Sequence, residues 1–82
     1  MLFFWDEVNE AEIAAHDVDK TTAEAVFFSE DFAFQPHPTM QNRWTAEGTV
    51  GGRLYRIAFS KTFPEGIRIT TAFRISRKRR RT

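Results

Sequence analysis

The fold is decided by residues 43–61, which read RWTAEGTVGGRLYRIAFSK. Apolar or small residues alternate with polar ones on both sides of Gly51 and Gly52, and this period of two is typical of strands with one buried face. Two consecutive glycines supply the positive φ angles that a tight hairpin turn requires. The segment therefore predicts two antiparallel strands, over residues 43–50 and 53–61, joined by a two-residue turn.

Further strand-like segments precede and follow this hairpin. Residues 67–75 alternate between apolar and polar positions after a turn at residues 63–66, and they predict the last strand of an antiparallel meander. Residues 32–35 predict a short strand that ends at Pro36, because proline donates no hydrogen bond to a ladder. The apolar run at residues 2–5 suits another strand, buried on both sides.

Two helices are predicted between the first strand and the meander. Asp6 can cap a helix over residues 6–16, a segment rich in Glu and Ala. Thr21 begins a capping-box pattern with Glu24, which predicts a second helix over residues 21–28. A β-α-α order followed by a meander predicts an α+β domain whose helices cover one face of the sheet and leave the other face open.

The composition excludes several classes of protein. The chain contains no cysteine and two histidines, so neither a disulfide framework nor a zinc cluster is expected. The apolar N-terminus lacks the basic region and cleavage site of a signal peptide, and no apolar run reaches the length of a membrane span. We therefore expect a single cytoplasmic domain over residues 1–82 that uses no cofactor.

Charge is segregated along the chain, although the net formal charge is +1. Residues 1–31 contain nine acidic residues and one basic residue, whereas residues 32–82 contain two acidic and eleven basic residues. The basic half includes the predicted meander, which favours a basic surface for a polyanion. The alternative is that both halves are solvated faces.

Strand alternation predicts that an array of arginines lies on the open face of the sheet. Guanidinium groups arranged in this way can hold a phosphodiester backbone. A carboxylate among them is either a base or one half of a cross-strand ion pair with Arg43 or Arg56. The side chains assigned to this face are Arg43, Thr45, Glu47, Arg56, Arg68, Thr70 and Arg74.

Six short motifs follow one another in order along nearly the whole chain. They are Phe4-Trp5-Asp6 with Asn9 and Glu10, His16-Asp17-Val18, Glu24-Ala25-Val26-Phe27-Phe28, Arg43-Trp44 with Gly48-Thr49, Gly52-Arg53-Leu54, and Ile67-Arg68-Ile69-Thr70-Thr71-Ala72. Together they resemble the BrnT family. The resemblance implies a RelE-like fold with a short C-terminal helix or tail, and the toxin half of a type II toxin–antitoxin system. It also implies a ribonuclease that cleaves RNA and inhibits translation until an antitoxin of the BrnA type neutralises it.

Three places differ from the family pattern. Asp17 stands at a turn glycine, Phe73 stands where an arginine is expected, and residues 79–82 replace a terminal motif that contains glutamate and tyrosine. These differences recommend a second interpretation, a degenerate RelE-like module that binds RNA or an antitoxin without cleaving.

Particular side chains are assigned to RNA cleavage. Without a metal, cleavage requires a group that takes the 2′-hydroxyl proton, cations that stabilise the charge on phosphorus, and an acid for the leaving oxygen. We predict Arg68 and Arg74 as the phosphate clamps and Glu47 as the base. The tail at residues 77–82 is either an RNA-binding arm or a frayed end. The residues predicted to bind RNA are Arg43, Arg53, Arg56, Arg77 and Lys78.

Histidine and tryptophan side chains are given structural roles. We expect His16 to satisfy carbonyl groups at the end of the first helix, in preference to the alternative of a catalytic role. Trp5 and Trp44 are expected to pack in the core. His37 lies between two prolines and is assigned no function.

Overall fold

A computed structural model describes residues 2–62 and 66–75 of the chain. Within these residues the chain forms two helices and a four-stranded antiparallel sheet, which confirms the predicted α+β meander. Residues 63–65 of the turn predicted at 63–66 lie outside the described residues, as does the tail at residues 77–82 with Arg77 and Lys78. The elements are α1 (Glu7–Ala14), α2 (Lys20–Val26), β1 (Ala33–Pro36), β2 (Trp44–Val50), β3 (Arg53–Thr62) and β4 (Gly66–Arg74), and the sheet order is β1-β2-β3-β4.

The hairpin between β2 and β3 forms as the sequence predicts. Gly51 and Gly52 have φ angles of 59° and 81°, so both occupy the region that glycine enters without steric cost. Pairing then continues from Val50 opposite Arg53 to Trp44 opposite Phe59. The positions predicted to point inward on these strands face the helices.

The N-terminal segment differs from its prediction as a strand buried on both sides. Phe3 forms a single parallel bridge with Ile67 at the outer edge of β4. Two backbone hydrogen bonds of 2.9 Å fix it, from Phe4 N–H to the Ile67 carbonyl and from Ile67 N–H to the Leu2 carbonyl. Leu2 is 54% exposed. The segment remains short because the chain turns into α1 at Asp6.

Helix α1 begins where predicted and is anchored to the sheet by a buried asparagine. The Asp6 side chain accepts hydrogen bonds from the backbone N–H groups of Val8 and Asn9 at 2.9 and 3.1 Å, and Asn9 Oδ1 accepts from Asp6 N–H at 2.7 Å. Asn9 is 1% exposed. Its Nδ2 donates to the carbonyls of Phe4 and Ile69, so one side chain joins the helix to the edge of β4.

Helix α2 is capped by a different residue from the one predicted. Asp19 accepts a hydrogen bond from Thr22 N–H at 2.8 Å, so the helix starts at Lys20 and the capping box at Thr21 is wrong. The carboxylate of Glu24 instead accepts from Trp5 Nε1 at 2.7 Å. The predicted box failed because an aspartate two residues earlier offers a competing cap.

The core lies between the helices and one face of the sheet. Helix α2 packs over β2 and β3, and α1 lies along β4. A Cβ atom at Gly48 would lie 2.9 Å from the Val26 carbonyl oxygen, so glycine is required for this close approach of α2. The buried apolar side chains are Ile13, Val18, Ala23, Val26, Ala46, Ile57, Phe59, Ile69 and Ala72.

A β-bulge in β4 reverses the side-chain alternation of the last strand. Ala58 lies opposite Thr71 and Phe59 lies opposite Ile69, so Thr70 has no partner across the ladder. After this bulge Ala72 is buried, although uninterrupted alternation would place it on the open face with Thr70 and Arg74. The assignment of Arg74 to the open face is wrong. Arg74 lies opposite Tyr55, on the face of β3 that carries Ile57 and Phe59.

Candidate functional site

A cluster of charged and aromatic side chains lies where β3 begins and β4 ends. A cleft of about 640 Å³ opens there beside the loop that joins α1 to α2. Antiparallel pairing of β3 with β4 places Tyr55 opposite Arg74 and so brings the start of β3 to the end of β4. We call it the His16 cleft; its lining residues are His16, Asp17, Arg53, Tyr55, Phe73 and Arg74.

Two arginines share one face of the sheet in the His16 cleft. Arg74 lies directly opposite Tyr55, and Arg53 precedes Tyr55 by two residues on the same strand. Diagonal neighbours of this kind are roughly 7–8 Å apart, which is close enough for both guanidinium groups to reach a single phosphate. Both arginines are exposed. Neither forms an ion pair with a carboxylate in the part of the chain that the structure describes.

A short hydrogen-bond relay orients the imidazole of His16. Its Nε2 lies 3.3 Å from Glu12 Oε2, and the same oxygen accepts from Thr71 Oγ1 at 3.0 Å. Donation from Nε2 to the carboxylate leaves the imidazole lone pair on Nδ1, which is the arrangement of an oriented base. The ring also lies beside Phe73, with centroids 5.8 Å apart.

The structure gives His16 a different role from the predicted cap of α1. Backbone N–H groups already occupy the last carbonyls of the helix: Asp17 N–H donates to Ala14, and Val18 N–H donates to Ile13 at 3.0 Å. The imidazole is therefore not required at these carbonyls. Asp17 ends the helix with a φ of 61°, in the left-handed region that aspartate tolerates better than most residues.

Glu47, the predicted base, lies away from the cleft. Arg56 donates to Glu47 Oε2 from Nε at 2.9 Å and also from Nη2, so the cross-strand ion pair considered as the alternative is present. The pair occupies the opposite face of the sheet from Arg74. It lines a second cleft of about 500 Å³ together with Gln35 and His37.

Arg68, the other predicted phosphate clamp, binds the start of α1. Its Nη1 donates to Asp6 Oδ2 at 2.7 Å and its Nη2 to Oδ1 at 3.3 Å. Hydrogen bonds from this guanidinium hold the pKa of the Asp6 carboxyl below its usual value, and the backbone N–H of Asn9 makes the second-largest contribution. Six residues separate Arg68 from Arg74, about 20 Å along a strand, so the two cannot clamp one phosphate as predicted.

The remaining predicted residues fall into different surroundings. Arg43 is half-buried, and its Nε has no hydrogen-bond partner among the described residues. Trp44 stacks on Phe59 with centroids 6.1 Å apart, and Trp5 also packs against the core, so both tryptophans have the predicted structural role. Of the predicted site residues, the structure brings together Arg53 and Arg74.

Four residues of the His16 cleft were not predicted as site residues. They are His16, Asp17, Tyr55 and Phe73. The meander order carried a signal for Tyr55, because antiparallel pairing of β3 with β4 places the start of one strand beside the end of the other.

The fold and the cleft define a small α+β domain with two arginines and an oriented imidazole at one end of its sheet. No protein-family model matches the chain, and no curated protein is significantly similar to it. No helix within residues 2–62 and 66–75 has the length and apolar character needed to cross a membrane. Over the same range, no group of three or more His, Asp or Glu side chains is placed to hold a metal ion.

Proposed function

We propose that this protein is a ribonuclease that cleaves single-stranded RNA in the His16 cleft without a metal ion. The observation that carries the proposal is the convergence of Arg53 and Arg74 on a cleft that also contains an oriented imidazole. Two cations and a base are what the attack of a 2′-hydroxyl on the neighbouring phosphate requires.

Each side chain has a step in this reaction. His16 Nδ1 takes the proton of the 2′-hydroxyl as that oxygen forms a bond to phosphorus. Arg53 and Arg74 stabilise the charge that develops on the phosphoryl oxygens. The hydroxyl of Tyr55 donates a proton to the 5′-oxygen as the bond from phosphorus to that oxygen breaks. The products are a 2′,3′-cyclic phosphate and a 5′-hydroxyl.

Single-turnover cleavage of an RNA oligonucleotide in EDTA tests this mechanism. Arg74→Ala should slow cleavage roughly 100-fold, and His16→Asn should slow it by a similar factor or more. Arg53→Lys keeps the charge but loses the planar donor pair, so cleavage should fall more than RNA affinity. Lys20→Ala is the control, because Lys20 pairs with Glu10 on the surface of the helices and lies outside the cleft.

Two results would overturn the proposal. One is a folded wild-type protein that leaves RNA intact in every sequence context tested. The other is cleavage by His16→Asn and Arg74→Ala at the wild-type rate, which would show that the activity belongs to another site or to a contaminant. An oligonucleotide with a 2′-deoxy residue at the cleaved position should resist the wild-type enzyme.

The proposal extends to the biological role that the BrnT resemblance implies. The chain would be the toxin of a type II toxin–antitoxin system in the cytoplasm, with a RelE-like fold and a BrnA-type antitoxin as partner. The two helices and the four-stranded antiparallel sheet are compatible with an α+β fold, which supports the proposal at the level of architecture. Induced expression should arrest bacterial growth, the His16→Asn variant should not, and co-expression of a neighbouring antitoxin frame should restore growth.

A second candidate is a module that binds RNA or an antitoxin without cleaving. It is favoured by the ion pairs at Arg68 and Glu47, which occupy two of the three side chains that the sequence assigned to catalysis. RNA binding that depends on Arg53 and Arg74, with no cleavage under single-turnover conditions, would select this candidate.

A further inference from the structure

The His16 cleft contains one group that phosphate binding does not explain. Asp17 belongs to the loop between α1 and α2 and lines the cleft, where its negative charge repels a phosphate. Its carboxylate accepts no hydrogen bond from any residue within 2–62 and 66–75, so it has no capping role in the described structure. A ligand that contacts both Asp17 and the arginines would bring hydrogen-bond donors as well as an anion.

The backbone at Asp17 favours a residue without a side chain. Its φ of 61° lies in the region that favours glycine, so glycine is the residue with the least steric cost at this position. A conformational outlier beside a cleft is a reason to look for a function of the side chain. The side chain offers two acceptor oxygens and no donor.

We propose that Asp17 makes the His16 cleft selective for guanine. The Watson–Crick edge of guanine presents two adjacent donors, N1–H and N2–H, which match the two oxygens of one carboxylate. Adenine and cytosine present an amino group beside an acceptor, and uracil presents one N–H between two acceptors. Single-stranded RNA is read at this edge when its bases are unstacked.

The aromatic side chains of the cleft supply the second half of a base site. Phe73 is half-buried beside the His16 ring, and Tyr55 lines the same cleft. Bases stack on rings of this kind with little preference among sequences, so stacking gives affinity and the carboxylate gives selectivity. The ligand is then a guanosine nucleotide whose phosphate contacts Arg53 and Arg74.

This inference rests on the proposed function for the identity of the ligand as an RNA nucleotide, but binding tests it without cleavage. The four ribonucleoside 3′-monophosphates are titrated into the folded protein and followed by backbone amide chemical shifts. We expect the guanosine nucleotide to bind roughly 10-fold more tightly than the other three, as one bidentate contact to a base provides. Guanosine without phosphate should also bind better than adenosine, which separates base recognition from phosphate binding.

Two substitutions at Asp17 isolate the carboxylate. Asp17→Asn removes the second acceptor oxygen, and Asp17→Gly removes the side chain while suiting the positive φ. In both variants the four nucleotides should bind within about 2-fold of one another, because stacking and phosphate contacts remain. Asn42→Gly is the matched control: Asn42 has a φ of 53° and lies outside the cleft, so this variant should keep the guanine preference.

The results distinguish the two proposals. A wild-type protein without a guanine preference, or an Asp17→Asn variant that keeps one, overturns the inference whether or not RNA is cleaved. A guanine preference that depends on Asp17 supports the inference even if no RNA is cleaved, and in that case the proposed catalysis alone fails. If RNA is cleaved, the cuts should cluster beside guanosine in the wild type and spread over all four nucleotides in Asp17→Gly.

Discussion

Replacing Asn9 by aspartate should destabilise the protein far more than the same replacement at an exposed asparagine. In Asn9→Asp one carboxylate oxygen still accepts from Asp6 N–H, but the other replaces an amide donor and faces the carbonyls of Phe4 and Ile69. Leaving a buried acceptor without its donor costs roughly 1–3 kcal/mol. Two such losses give an expected destabilisation of about 3 kcal/mol at neutral pH.

The expected loss is large compared with the stability of a small domain. A change of this size lowers the melting temperature by about 12–24 °C in a domain of this length. Urea unfolding followed by tryptophan fluorescence measures it. The control is Asn42→Asp, which removes one exposed hydrogen bond from Nδ2 to the Lys61 carbonyl and should change stability by less than about 0.5 kcal/mol. A loss below about 1 kcal/mol in Asn9→Asp would refute the anchoring role of this side chain.

Three further outcomes follow from the described contacts. The lowered pKa of Asp6 in the folded state means that its carboxylate adds stability above the ordinary value of 3.8, and this stability is lost as the pH falls through the folded pKa. Arg68→Gln should therefore weaken the pH dependence of urea unfolding below about pH 5; an unchanged profile would contradict the ion pair. Ile57→Ala should lower the free energy of unfolding by about 2–5 kcal/mol in the same assay. Val8→Ala, at a position that is 72% exposed, should lower it by less than about 0.5 kcal/mol. Gly48→Ala should cost about 1–3 kcal/mol because its new methyl group overlaps α2, and native-like stability would show that the helix can shift.

Local sequence patterns predicted most of the sheet because the decisive signals lie within a few residues of one another. Gly51 and Gly52 define the hairpin turn. Alternation on both sides of it fixes the register of β2 against β3, because a slip of one residue would turn the buried side chains outward. The signal for the start of α1 was equally local, since the side chains of Asp6 and Asn9 each accept a hydrogen bond from the other's backbone N–H. Where two adjacent signals compete, as Asp19 and Thr21 do at α2, the pattern alone does not decide between them.

The bulge at Thr70 could not be predicted in the same way. Ile67, Ile69 and Phe73 share one parity in the sequence, so uninterrupted alternation is consistent with the residues of β4. The observed strand instead buries Ile69 and Ala72, which are three residues apart. Thr70 and Thr71 are both small and β-branched, so they fit a regular strand as well as a bulged one. Packing of β4 against β3 and α1, rather than the sequence of the strand itself, decides between the two.

The same bulge explains why Arg74 was assigned to the wrong face of the sheet. Without it, Arg74 would share a face with Arg56 and Glu47, and the cations of β4 would lie away from the helices. With it, Arg74 joins Tyr55, on the face of β3 that packs against the helices. Two local irregularities, a bulge in β4 and a left-handed aspartate after α1, thus combine to create the His16 cleft. The residues that line this cleft gather where regular alternation ends, because a strand face and a helix terminus there point into the same space.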